Sequence, residues 1–170
     1  RVMFYEEAFP VSALSSKTAC PTIKDIQEAN SIMRRIMKHD KIVSMVFKTG
    51  INPNELGLLV VHDAAFDNLP QHKSQRGHFI LIADKRIAAD HDNLYLVHCL
   101  GWQSSRIQRA VRSTLAAEAY SASDAIDTLD WARAVLLELL RPDIPLHDIP
   151  NNLSKILAAA VTDCKSLYDT

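Results

Sequence analysis

The sequence predicts an α/β domain in which a long helix packs on a mixed β-sheet. Three apolar runs between residues 58 and 102 are separated by short polar segments, as in an antiparallel meander. One long helical pattern follows over 113–140, and a fourth apolar run follows at 156–161. Because a helix joins the third strand to the fourth, the chain can cross over and bring the fourth strand beside the first.

The composition is that of a globular protein of about one domain. Of 170 residues, 48% are hydrophobic and 23% are charged, which argues against disorder. The net charge of -1 means that a nucleic-acid partner would need local basic patches. Three widely spaced cysteines favour free thiols in a reducing compartment, so we expect an intracellular protein, cytoplasmic or nuclear and not secreted. No apolar run approaches the roughly 20 residues that span a bilayer, so no membrane partner is expected.

Residues 1–55 are predicted to form a segment separate from the sheet. Residues 1–20 have no clear period and are expected to be irregular. A helix is predicted over 22–39, where Thr22 and Asp25 have the spacing of a capping box. A short strand is predicted at 42–47, and a loop rich in turn-forming residues leads to the boundary.

Residues 56–170 carry the predicted strands and the long helix. The first strand is an apolar run that ends at Asp63, and its continuity fits a strand covered on both faces. A polar loop is expected over 67–76, a second strand over 77–84 and a third over 94–102. Three prolines after residue 140 prevent the helix from continuing, and the last residues predict the first turns of another helix.

The helix predicted over 113–140 begins with small residues and can be capped by Ser113 or Thr114. Its apolar positions recur at spacings of mostly three, four and seven, so they are expected to share the buried face. Those positions are Leu115, Ala119, Ala122, Ile126, Leu129, Val135, Leu136 and Leu139. Glu118 is expected at the edge of that face.

Three acids are candidates for a common site. Asp63 ends the first predicted strand, Asp163 ends the fourth, and Glu118 lies in the first turns of the helix between them. If strands one and four are neighbours, the three carboxylates can converge, and a divalent cation would relieve their repulsion. Oxygen ligands suit Mg²⁺ or Mn²⁺, and two such ions can support phosphodiester hydrolysis. The spacing alone fits equally well an arrangement in which each acid only ends a strand or a helix.

Four segments in order resemble the ribonuclease H domain of retrotransposon Pol polyproteins, with the closest likeness to the copia-like group. They are VVHDAAFDN, SQRGHFILIAD, LGWQSSRIQRAVRSTLAAEAYSASDAID and AAAVTDCKSLYD. The match covers about 57–170, and 20–45 resemble, less specifically, the tail of the reverse transcriptase. The resemblance implies a connection segment over 1–55 and a ribonuclease H-like domain over 56–170 that is incomplete at its C-terminus.

The resemblance also implies an activity, which is hydrolysis of the RNA strand of RNA–DNA hybrids by a part of the Pol polyprotein. Asp63, Glu118 and Asp163 would be the catalytic acids and would hold two Mg²⁺ or Mn²⁺ ions. The family carries a further acid or histidine-bearing segment on a later helix, which these 170 residues do not include. The alternative is therefore an inactive remnant that is structural or only binds nucleic acid. An integrase is disfavoured because integrases carry their glutamate on a later helix.

Local cations are candidates for contacts with a hybrid, because Lys and Arg supply much of the affinity for phosphates. Arg106, Arg109 and Arg112 precede the long helix, and Lys73 and Arg76 lie in the first hairpin. The alternative for each is a solvated surface.

Two other chemistries are disfavoured. The chain has no Cys-x-x-Cys pair, and its histidines lack the spacing of zinc ligands. The histidines considered are His62, His72, His78, His91 and His98. No Gly-x-Ser-x-Gly elbow is present, which argues against a serine hydrolase.

Overall fold

The computed structural model describes residues 5–38, 52–69, 72–89 and 93–169. It shows a four-stranded mixed sheet with helices on it. The strands are β1 (Leu56–Leu69), β2 (Lys73–Asp84), β3 (Val97–Arg106) and β4 (Leu157–Val161). The helices are α1 (Ala8–Ser15), α2 (Ile23–Lys38), α3 (Thr114–Leu140), α4 (Ile149–Asn152) and α5 (Lys165–Tyr168). The sheet order is β3-β2-β1-β4, with β4 parallel to β1 and the other pairs antiparallel, so the predicted crossover is confirmed.

The long helix α3 begins where the sequence predicts, because the Ser113 hydroxyl accepts a hydrogen bond from the Ala116 N–H at 3.1 Å. Its buried face differs from the predicted one. Small residues four positions apart, Ala117, Ser121 and Ala125, lie against the sheet with Leu129. The larger predicted residues are partly exposed, as the 73% exposure of Leu139 shows.

Close packing explains this rotation of α3. Ala125 and Leu129 join Leu58, Val60 and Ile80 of the sheet in the main core cluster, and small side chains let the helix lie close to these strands. The predicted face missed Ala117, Ser121 and Ala125, which are buried on this helix together with the larger Leu129 and Leu137. As a result, Glu118 lies within the buried face and not at its edge.

The first hairpin is longer than predicted. β1 continues six residues beyond Asp63 and β2 begins at Lys73, so the predicted polar loop over 67–76 is wrong. Ser74 and Gln75 in this stretch are buried, so their polarity indicates neither an irregular backbone nor exposure to solvent. β3 is likewise shifted towards the C-terminus of its prediction and ends at Arg106, which pairs with Gln75.

The N-terminal residues form two helices. The predicted irregular stretch over 1–20 is wrong because it contains α1, which is too short to show a period and has Pro10 in its first turn. The prediction of α2 is confirmed, including its capping box: the Thr22 N–H donates to Asp25 Oδ2 at 2.8 Å, and the Asp25 N–H donates to Thr22 Oγ1 at 3.3 Å. The strand predicted at 42–47 lies outside the described residues.

The helices α1 and α3 lie on opposite faces of the sheet. Gln75 donates to Ser12 Oγ of α1 at 3.1 Å, whereas its neighbour Arg76 pairs with Asp124 of α3 at 2.8 Å. Because successive side chains of a strand point to opposite faces, these two contacts assign the two helices to different sides.

The segment before β4 is fastened to α3 by one side chain. The guanidinium of Arg133 donates to the carbonyl oxygens of Leu153 and Ile156 at 2.9 and 3.2 Å. These two bonds fix the start of β4 against the helix, and β4 then runs parallel to β1.

Candidate metal centre

Three carboxylates converge at one end of the β1–β4 pair. Asp63, Glu118 and Asp163 each offer an oxygen atom, and these atoms lie within 4.8 Å of one another. No other group of three or more His, Cys, Asp or Glu side chains among the described residues has this geometry. The cluster could therefore bind a metal ion.

The parallel register of β1 and β4 aligns the two aspartates. Val61 is paired with Val161, and each of these valines is followed two residues later by an aspartate. Asp63 and Asp163 are consequently at the same level of the sheet, and both are exposed.

Two hydrogen bonds bring Glu118 to this position. The Ser121 hydroxyl donates to the carbonyl oxygen of Asp63 at 2.8 Å, and the Ala64 N–H donates to Glu118 Oε1 at 3.3 Å. The first turns of α3 are thus tied to β1 on both sides of the Asp63–Ala64 peptide bond. Ser121 is buried, so the first of these bonds is partly shielded from water.

Glu118 is the buried member of the cluster, with only 4% of its surface exposed. Burial raises the pKa of its carboxyl group, and the negative charge of Asp63 raises it further. The hydrogen bond from Ala64 opposes this rise in the pKa, and the charge of Asp163 adds to it.

The donor set fits a hard divalent cation. Glu118 Oε2 is buried and has no hydrogen-bond partner among the described residues, which leaves a polar atom that a cation would satisfy. All three ligand groups are carboxylates, and the two exposed aspartates leave room for water in the coordination shell.

Two buried histidines lie behind the cluster. His62 and His78 are paired across β1 and β2, and each has 4% of its surface exposed. Burial lowers the pKa of both imidazoles, while the charges of Asp63 and Asp163 oppose this for His62 and the charge of Asp124 opposes it for His78. Sequence reasoning considered these histidines only as zinc ligands, although their positions near strand ends were a signal that they border the site.

The predicted phosphate-binding cations lie in four places. Arg76 faces α3 in its ion pair with Asp124, and Arg109 lies over the ring of Tyr120 at 6.0 Å. Arg112 is exposed directly before the cap of α3. Lys73 and Arg106 line a common cavity with Lys17, a residue that the sequence did not single out because α1 was not predicted.

Comparisons of the chain with family models, curated proteins and solved structures gave no match. Within the part of the chain that the structure describes, no helix combines the length and the apolar character needed to cross a bilayer.

Proposed function

We propose that the chain is a metal-dependent nuclease of the ribonuclease H type, which hydrolyses the RNA strand of RNA–DNA hybrids as part of a copia-like retrotransposon Pol polyprotein. The observation that carries this proposal is the carboxylate cluster. Its three members come from β1, the start of α3 and the end of β4, and they meet around a buried oxygen without a partner. The resemblance predicts acids on the same three elements in the same order.

In this proposal Asp63, Glu118 and Asp163 hold two Mg²⁺ or Mn²⁺ ions. When bound, such a pair of ions would activate the attacking water and stabilise the leaving 3′ oxygen. Asp63 would be the first metal-binding acid, the position that the resemblance implies for it.

The protein's own groups provide orientation. The Ala64 N–H fixes one oxygen of Glu118, and Ser121 ties the same turn of α3 to the backbone of Asp63. Glu118 is thereby preorganised beside the backbone of Asp63, and a phosphodiester can approach from the exposed side of the two aspartates.

Cleavage of a labelled RNA–DNA hybrid tests the proposal. The chain is expected to cut the hybrid in Mg²⁺ or Mn²⁺ and to leave DNA–DNA and RNA–RNA duplexes intact. Asp63→Asn should lower the rate about 10³-fold or more, because it removes a charged ligand from the site of developing charge. The matched control is Asp127→Asn, an exposed aspartate on the outer side of α3, which should cut normally. Activity of Asp63→Asn equal to that of the wild type would contradict the mechanism.

The second candidate function is binding of hybrids without cleavage. The observation that favours it is the number of carboxylates: the cluster among the described residues contains three. The family that the chain resembles carries a further acid or histidine-bearing segment. A chain that is folded by circular dichroism, binds Mn²⁺ by calorimetry and binds the hybrid, yet does not cut it, would replace the nuclease with this candidate.

A further inference from the structure

We propose that the N-terminal helices and the first hairpin together form a second contact with nucleic acid, which binds backbone phosphates away from the cutting site. The inference rests on the proposed function. Its location is a cavity of about 530 Å³ that is lined by Lys17, Lys73 and Arg106 and is called the basic cavity below.

The strand register places two of these cations on one face. Arg106 of β3 is paired with Gln75 of β2, and Lys73 lies two residues before Gln75. Because side chains alternate along a strand, all three residues point to the same side of the sheet. That side is the one occupied by α1, since Gln75 donates to Ser12. Lys17 reaches the cavity from the turn that follows α1.

The cavity has an excess of positive charge. Its one lining carboxylate, Asp25, accepts hydrogen bonds from Lys17 at 2.8 Å and from Thr22. Within the described ranges, no carboxylate lies within ion-pair distance of Lys73 or Arg106, and the hydrogen bond recorded for the Arg106 side chain goes to the neutral Gln108 at 3.4 Å. A concave site with uncompensated cations concentrates the electric field and attracts anions.

Asp63 of the metal centre lies on the same side of the sheet as the basic cavity, because it is paired with Gly77, two residues from Gln75. Asp63 and Gln75 line a neighbouring cavity of about 360 Å³ together with Phe9 of α1. Asp63 is paired with Gly77, and Gly77 is four residues from Lys73 along β2. Four residues of an extended strand span ~13 Å.

This separation fits a nucleic-acid strand better than a single small anion. Phosphates of one strand of a B-form duplex advance by about 3.4 Å along the axis, so a separation of ~13 Å extends over a few nucleotides and exceeds the size of a small anion. A hybrid with its scissile phosphate at the metal centre would therefore place a later phosphate at the basic cavity. The contact is with the backbone, and it would bind without regard to base sequence.

The test is the salt dependence of hybrid binding by the full chain, measured by fluorescence anisotropy in EDTA so that no cleavage occurs. For the double variant Lys73→Gln/Arg106→Gln, the slope of log K against log salt should become shallower by about 1 to 2, because each lost phosphate contact removes about 0.9. Affinity at low salt should fall at least about tenfold. The matched control is Lys155→Gln/Arg141→Gln, which removes the same charges beyond the C-terminal end of α3 and should leave the slope unchanged.

The contribution of the N-terminal helices has its own test. Ser16→Glu adds a negative charge at an exposed position that lines the basic cavity and leaves the Lys17–Asp25 ion pair in place. It should weaken binding severalfold relative to Gln27→Glu, an exposed position on α2 that does not line the cavity. Equal binding by these two variants would restrict the contact to the hairpin and overturn the composite site.

The outcomes separate this inference from the proposed nuclease. If the chain cuts hybrids but the Lys73→Gln/Arg106→Gln variant has the wild-type salt slope, the proposed nuclease stands and the proposed second contact is wrong. If the chain does not cut, but the salt slope becomes shallower in this variant and not in its control, the second contact stands and the proposed nuclease is wrong.

Discussion

The two halves of α3 contact their surroundings in different ways. In the first half, Ala117, Ser121 and Ala125 are buried against the sheet, and the carboxylate of Glu118 is buried with them. In the second half, Trp131 and Leu139 expose 69% and 73% of their surfaces. Small residues therefore face the sheet in the first half, whereas in the second half Leu129 and Leu137 are buried in the main core cluster and other large residues remain exposed. The first half of α3, called the tight half below, therefore holds the candidate site in place.

Enlarging a residue in the tight half should have the largest effect. Ala125 is fully buried in the main core cluster, so Ala125→Leu forces α3 away from the sheet at a cost of about 1–3 kcal/mol. In thermal unfolding, this variant should melt well below Ala119→Leu, which makes the same change at an exposed position of the same helix. Equal melting temperatures would show that the buried and the exposed face of this half tolerate a larger side chain equally well.

Removing one hydrogen bond from the tight half should have a smaller effect. Ser121→Ala deletes the 2.8 Å bond to the Asp63 carbonyl and should reduce the free energy of unfolding by about 1 kcal/mol. It should also weaken Mn²⁺ binding measured by calorimetry, because Glu118 is held by the same turn. Ser123→Ala, an exposed change two residues away, is the control and should alter neither quantity.

Neutralising the buried acid should stabilise the metal-free chain. Folding raises the pKa of Glu118 above its ordinary value of 4.5, so its stabilising contribution is present below that pH and is lost as pH rises through the folded value. In EDTA at neutral pH, Glu118→Gln should therefore melt about 2–4 °C higher than the wild type, the shift for about 1 kcal/mol in a domain of this size.

The difference between Glu118→Gln and the wild type should vanish below the ordinary glutamate pKa, where both side chains are neutral. Mg²⁺ should then stabilise the wild type more than the variant, because the variant lacks one charged ligand. A Glu118→Gln chain that is less stable than the wild type at neutral pH without metal would contradict the buried-charge argument.

A substitution at an exposed position in the second half of α3 should change the stability least. Leu139→Ser replaces a side chain that is mostly in contact with water, and the free energy of unfolding should change by less than about 0.5 kcal/mol. Chemical denaturation measures this directly. A loss comparable to that of Ala125→Leu would mean that another surface covers Leu139 in solution.

The sequence predicts much of this fold because periodicity and apolar runs are local properties. The bounds of α2 and α3, the four strands and the parallel pairing of β4 with β1 are confirmed. The three acids were also selected correctly as a group that comes together, since two of them end neighbouring strands and the third begins the helix between those strands. The nuclease activity and its metal ions stay predictions.

The errors have physical causes that a pattern of residues does not contain. The length of the β1–β2 hairpin was missed because the prediction assigned polar residues to a loop, whereas Ser74 and Gln75 are buried in β2 and form hydrogen bonds there. The helix α1 was missed because two turns are too short to show a period. The buried face of α3 was misassigned because apolar residues occur on more than one side of this helix, so their spacing alone does not specify which side faces the sheet. Lys17 was overlooked as a consequence of the error in α1.

The short strand β4 gives the metal centre a further property. β4 has five residues, pairs with β1 on one side, and carries Asp163 just beyond its end. Arg133 holds the segment before the strand, and Ala158 of β4 packs against the main core cluster, but neither contact lies at the end near the acid. A cation bound by Asp63, Glu118 and Asp163 would connect the C-terminal end of this outer strand to β1 and α3. Binding of the ion and ordering of the strand end would then be linked, so that a higher occupancy of the ion gives a more rigid strand end.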